Sequence, residues 1–233
     1  MIRNFAVLLL LLGLGAIFVH LLQDYVPASE LNQTARYYAE HTAPDLGAAN
    51  IVTAIVVTYR GLDTLGEVTV LFLASTIIGM VLARSHKHPR ALQRKLPPSG
   101  ELLTTGSRLL TPLILLFGAY VFVNGHLTPG GGFQGGAILA SAALLLLLTD
   151  PLKRFSHRLI AIVESVSGLV FVAIGVLGML LAGGFLDSRL LPSGEFGTLF
   201  SAGAIPLIYS GIGLKVGAEF ISMLTHLAET EKS

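Results

Sequence analysis

Several stretches of this chain stay apolar for about 17 to 25 consecutive residues, the length a helix needs to cross a hydrocarbon core. No feature limits the fold more. Such runs cannot be hidden inside a domain of 233 residues when only 12% of them are charged, since soluble domains carry about 25%. An all-α integral membrane protein is expected. The spans fall at about 5–22, 62–83, 108–124, 134–149, 159–182 and 198–224. The first 22 residues, with Arg3 ahead of an apolar stretch, imitate a signal peptide. No small-x-small site follows, and a retained helix is expected.

Charge sets the expected orientation. The segment "RSHKHPRALQRKLPPSG" carries Arg84, Lys87, Arg90, Arg94 and Lys95, which the positive-inside rule assigns to the cytoplasm. "DPLKRFSHR" and both termini then share that side, leaving Arg36 and Arg189 opposite, with Arg60 at the boundary. The Pro97–Gly100 stretch reads as linker. A two-span unit, 1–96, is thereby divided from a four-span unit, 108–233, with 97–107 between them. Residues 46 to 83 are too long for one span, at about 57 Å of helix. A break at "YRGLD" gives a short helix on the outer interface at about 47–59 and then the span. The preceding "SELNQTARYYAEH" reads as a surface helix with Ser29 as N-cap.

Charges within spans are costly and mark ion routes when they do not merely pair. In "RGLDTLGEVTV", Arg60, Asp63 and Glu67 recur at spacings of three and four, within roughly 60° of each other on a helix. Either Asp63 and Glu67 take up and release protons, or an ion pair with Arg60 pins the helix end. In "GLKVGAEFISMLTH", Lys215, Glu219, Ser222 and His226 share a face over three turns. That stripe is either a proton relay ending at His226 or a self-neutralising Lys-Glu pair. Glu164 stands alone in "IAIVESVSGLV", on the face of Gly168, Gly175 and Gly178, and needs a partner such as Lys215 or a group on another chain.

The string "GHLTPGGGFQGG", with Gly130, Gly131, Gly132, Gly135 and Gly136, contains Gly-x-Gly-x-x-Gly. A dinucleotide site would need a strand before it, yet the flanks are membrane spans, and no Lys-Ser/Thr pair follows as in a P-loop. No nucleotide or nucleic acid is expected as a ligand. The loop is either a tight turn with helix contact through Gly135 and Gly136, or the border of an ion or water entry with His126 and Gln134. His126 alone is weak as a metal ligand, and neither metal nor cofactor is expected. With no cysteine in the chain, thiolate-held clusters and disulfides are excluded from it.

"GHLTPGGGFQGGAILA" closely resembles the signature of the B-type (MnhB-like) component of Mrp-type multisubunit sodium/proton antiporters, over roughly 104–226. "YRGLDTLGEVTVLFLA" resembles the segment that ends the large A-type component, over roughly 45–84. In membrane-bound hydrogenases such a segment is a small separate protein next to a B-like one. The resemblance implies a non-catalytic subunit of a cation/proton antiporter module in the cell membrane. Its implied partners are other antiporter-like subunits of the A, C, D, E, F and G types, lipid, Na+ and H+. It also implies a place for Asp63 and Glu67 in an ion route. A scaffold that only joins such subunits is the competing expectation. The fused amino-terminal unit and the basic 84 to 95 segment depart from a plain MnhB-like protein.

Overall fold

The computed structural model describes residues 2–23, 25, 29–85, 100–150 and 155–231. The helices are α1 (Ile2–Gln23), α2 (Gln33–Leu46), α3 (Ile51–Ala54), α4 (Gly61–Ser85), α5 (Glu101–Val123), α6 (Gly132–Thr149), α7 (His157–Leu181) and α8 (Ile205–Glu231). No strand occurs among the described residues. Six of these helices, α1 and α4 to α8, are long and apolar enough to cross a membrane, so the chain is an all-α, multi-pass membrane protein. The backbone explains why. With no water in the hydrocarbon, each N–H and C=O must be paired within its own segment. Lys87, Arg90, Arg94, Lys95, Lys153 and Arg154, on which the expected orientation leans, lie outside the described residues, as does most of the Pro97–Gly100 stretch.

The chain divides into two units, Met1–Tyr37 and Tyr38–Ser233. In the first, α1 is apolar from Phe5 to Val19, with Arg3, Asn4, His20 and Gln23 toward its ends, and the start of α2 is capped by Asn32, whose Oδ1 accepts from the Ala35 N–H at 2.8 Å. Asn32 takes the place expected for Ser29, because the helix begins three residues later. The second unit is built around α8, which packs against α4, α5, α6 and α7. Glycine brings these helices together. A Cβ on Gly135 would stand 2.7 Å from the Gly118 carbonyl, and one on Gly136 would stand 2.8 Å from the Gly213 carbonyl. Small residues at membrane helix contacts permit this approach.

Three boundaries differ from the sequence expectation. The third span starts at Glu101, seven residues early, and the last starts at Ile205, not 198. Residues 198–204, TLFSAGA, carry no charge, but Ala202 and Gly203 both adopt left-handed φ, 64° and 59°. At Gly203 a side chain would collide with the Ser188 carbonyl, so the chain turns there before α8 can begin. The helix expected at 47–59 begins at Ile51, with Asn50 as cap, and continues as a π-helical turn, Ile55–Tyr59. Its Thr53, Ala54 and Val57 are buried, so the segment is tucked into the bundle. Gly61 then starts α4 where a Cβ would meet Leu186 at 3.0 Å. The apolar core joins Ala54, Val57, Val68, Phe171, Leu186, Ile205, Ile208 and Ile212.

Candidate functional site

Lys215, Glu219, Ser222 and His226 share one face of α8, as their spacing requires. Lys215 Nζ lies 2.7 Å from Glu219 Oε1, with the two side chains 12% and 0% exposed. The ammonium also sits 5.0 Å from the centroid of the Phe72 ring on α4, within cation–π range. On its α7 side, the lysine stem lies against Gly168. Glu219 is less well served. Apart from the Lys215 ammonium, neither carboxylate oxygen has a hydrogen-bond partner among the described residues. Ser75 of α4 reaches only the Glu219 backbone, donating to its carbonyl at 3.4 Å.

Toward the end of α8, Ser222, His226 and Glu229 line a cavity of about 510 Å³ with His157, Ile160, Ala161 and Glu164 of α7. His157 Nε2 is 2.9 Å from Glu229 Oε1, and the two imidazoles lie 5.3 Å apart, tilted by 33°. Glu164 is thus half-buried at the cavity wall and within electrostatic range of Glu219. The partner expected for it, Lys215, is paired with Glu219. Neither His157 nor Glu229 stands out in the sequence. A signal existed for Glu229, which continues the 222, 226, 229 face. His157 follows the N-cap Ser156 and has no such periodic mark.

On α4 the expected triad is split. Arg60 precedes the helix, and its Nε donates to Asp63 Oδ2 at 2.6 Å, with both side chains mostly exposed. Asp63 therefore takes the helix-pinning ion pair. Glu67 is exposed on the bundle surface a turn further in, within electrostatic range of the Tyr209 hydroxyl.

The glycine string forms the turn between α5 and α6, and it is held from outside itself. Asn50 donates through Nδ2 to the carbonyls of Gly125 at 2.9 Å and Thr128 at 3.0 Å. Its backbone N–H donates to the His126 carbonyl at 2.9 Å. Thr53 Oγ1 donates to the Gly125 carbonyl at 2.6 Å and accepts from the Tyr209 hydroxyl at 3.2 Å. Gly132 lies so close to α8 that a Cβ would be 2.6 Å from Ile212. His126 is fully buried, its Nε2 3.3 Å from the Thr198 carbonyl. Burial pulls its imidazole below the ordinary range, partly offset by the carbonyls of Thr198, Val123 and Leu199. The structure does not bring it to Lys215, which lies ten residues into α8, about 15 Å of helix. In the connection between α7 and α8, burial pushes the Asp187 carboxyl up, but hydrogen bonds from the side chain and backbone of Arg189 outweigh it and hold the group low. The Arg189 pair is bidentate, at 2.6 and 2.9 Å. Among the described residues no group of His, Asp and Glu is spaced to hold a metal ion.

Two family models match. Residues 102–222 match the domain related to the MnhB subunit of Na+/H+ antiporters, and residues 3–96 match MbhE of MBH. An uncharacterized protein of Methanocaldococcus jannaschii is 31% identical over 208 residues, 78% of each chain. The B-type component of the Na+/H+ antiporter of Bacillus subtilis is 41% identical over 81 residues, 35% of this chain and 51% of that one; the match thus spans about half of that relative's length. A chain in the structure of the membrane-bound sulfane sulfur reductase, an archaeal respiratory membrane complex, superimposes with a TM-score of 0.81. The two are 39% identical, over 97% of this chain and 98% of that one.

Proposed function

Because the chain belongs to the family of domains related to the MnhB subunit of Na+/H+ antiporters, we propose that it is a non-catalytic subunit of a multisubunit cation/proton antiporter module. In this reading it contributes part of an intramembrane ion or proton path. The observation that carries the proposal is the Lys215–Glu219 pair, buried inside the central helix with the carboxylate left short of hydrogen bonds. Intramembrane ionisable groups that face protein and lack full satisfaction mark ion routes. Glu164 flanks this lane, Asp63 stays in its pair with Arg60 at the start of α4, and Glu67 is the group that a neighbouring subunit would meet. His126 and the glycine turn hold the opposite end of the bundle together. The basic 84 to 95 segment would face the cytoplasm.

The competing reading is a scaffold joining antiporter-like subunits in a membrane-bound hydrogenase or related respiratory complex. It is favoured by the match of residues 3–96 to MbhE of MBH. Glu219→Gln and Glu67→Gln separate the two. The path reading expects cation/proton exchange in vesicles to fall while the complex still assembles. Unchanged exchange in both variants, with an intact complex, refutes it. Mass spectrometry of what co-purifies in mild detergent identifies the parent assembly: iron-sulfur or hydrogenase subunits make it a redox complex.

A further inference from the structure

We propose that the cavity between α7 and α8 is a hydrated vestibule that loads protons onto Glu219, with His157, Glu164, His226 and Glu229 holding protons at its mouth. The proposal rests on Glu219 belonging to the path, and it assigns the side from which that group is reached.

The first observation is an incomplete group. The Glu219 side chain is wholly buried, and apart from the Lys215 ammonium its oxygens have no hydrogen-bond partner among the described residues. Buried polar groups are satisfied by protein or by ordered water. The second is a compartment in the right place. Ser222, which lines the cavity, follows Glu219 by three residues, about 4.5 Å of helix. A volume of about 510 Å³ has room for on the order of ten waters. The walls offer polar partners to hold them.

The lining selects the ligand. Two imidazoles and two carboxylates gather there, and imidazole is the side chain that exchanges protons around neutral pH. The groups that face the compartment are His157 and Glu164 from α7, with exposed Arg158 beside them. From α8 come His226 and Glu229, with the buried Lys215–Glu219 pair further along α8, beyond Ser222. Helix α4 contributes Gly79, which lies against the His226 ring, and α6 brings Asp150 to the same end. A proton taken from water by His157 or His226 passes through cavity water, by way of the Ser222 hydroxyl, to Glu219. The carboxylate becomes a neutral acid, and its hold on the Lys215 ammonium is released. The charge of the vestibule and pair together rises by one when the proton enters, and falls by one when it leaves.

The absence of cysteine from the chain makes the test direct. Ser222→Cys and Ala161→Cys are introduced singly into the full chain within its assembled complex in native membranes. Each is treated with a charged, membrane-impermeant methanethiosulfonate. Val166→Cys, at the depth of Glu164 but on the exposed face of α7, is the control. Both cavity thiols are expected to react at least ~10-fold faster than the control, since only a hydrated thiol yields reactive thiolate. The rate at Ser222→Cys is also expected to show a second inflection with pH. His157→Gln/His226→Gln removes that inflection, and Glu219→Gln displaces it, because coupled groups titrate together. Equal rates at cavity and control positions overturn the proposal, whether from lipid or from a covering subunit. So does a pH profile indifferent to both substitutions. Labelling needs no transport, so the two readings fail separately. Exchange that survives both Glu219→Gln and Glu67→Gln sinks the path, whereas unreactive cavity thiols sink the vestibule.

Discussion

Lys215→Met removes the cation from the buried pair while keeping a long, unbranched side chain against Phe72 and Gly168. The Glu219 carboxylate, with no exposed surface, then has no counter-charge. Breaking a buried pair from one side costs about 3–5 kcal/mol, two to nearly four powers of ten in the unfolding equilibrium. Included in the loss is the ammonium–Phe72 contact, about 0.5–2 kcal/mol at such sites. Lys215→Met/Glu219→Met removes both charges. Replacing a buried pair by apolar groups is often neutral or better, so the double variant should stay within about 2 kcal/mol of the parent, the residual being the lost cation–π contact. The assay is denaturant unfolding of the purified chain in detergent micelles, with the parent, both singles and the double forming a closed cycle. A single variant as stable as the parent, or a double as damaged as the single, refutes the buried-pair reasoning. A double that regains stability but not exchange separates the structural role of the pair from its transport role.

Other parts of the bundle give independent expectations. Asn50→Ala withdraws two donors from the carbonyls of Gly125 and Thr128 and should cost about 1–3 kcal/mol, seen as a lowered unfolding midpoint together with faster amide exchange in the glycine turn. Gly136→Ala places a Cβ 2.8 Å from the Gly213 carbonyl, whereas Gly66 has nothing within 4 Å. The first should cost about 1–3 kcal/mol, since backbone cannot yield as a side chain does; Gly66→Ala in the same assay should not destabilise. His126 has a folded-state pKa below its unfolded value. Its contribution to stability is therefore complete above about pH 6.5 and is lost as pH falls through the depressed value. A His126→Gln variant should flatten that acid limb of the stability profile.

Hydropathy located the six spans because crossing a bilayer is a property of length and composition, which a sequence displays directly. Helical spacing likewise put Lys215, Glu219, Ser222 and His226 on one face, because the angle per residue is fixed by the backbone. Burial on that face was not legible, since it depends on α4 and α7 arriving from distant parts of the chain. For the same reason the spacing allowed Arg60 a carboxylate partner without settling it, and the structure gives Arg60 to Asp63 in an exposed pair while Glu67 lies exposed a turn further in. Positive φ at Ala202 and Gly203 stops α8 from starting at 198, and hydropathy is blind to φ. The glycine string makes the sharpest case. Its spacing imitates a phosphate loop, but each of its close approaches is to helix or backbone. Gly132 meets Ile212, Gly135 meets Gly118 and Phe122, and Gly136 meets Gly213 and Val216. Asn50 and Thr53 take up the carbonyls of Gly125 and Thr128, acceptors that a ligand at this turn would otherwise meet. A run of glycines permits backbone approach without naming what approaches, and here α5 and α8 occupy that space. Chemistry in this bundle is therefore to be sought where polar groups are left short of partners, at Glu219 and the His–Glu cavity beneath it.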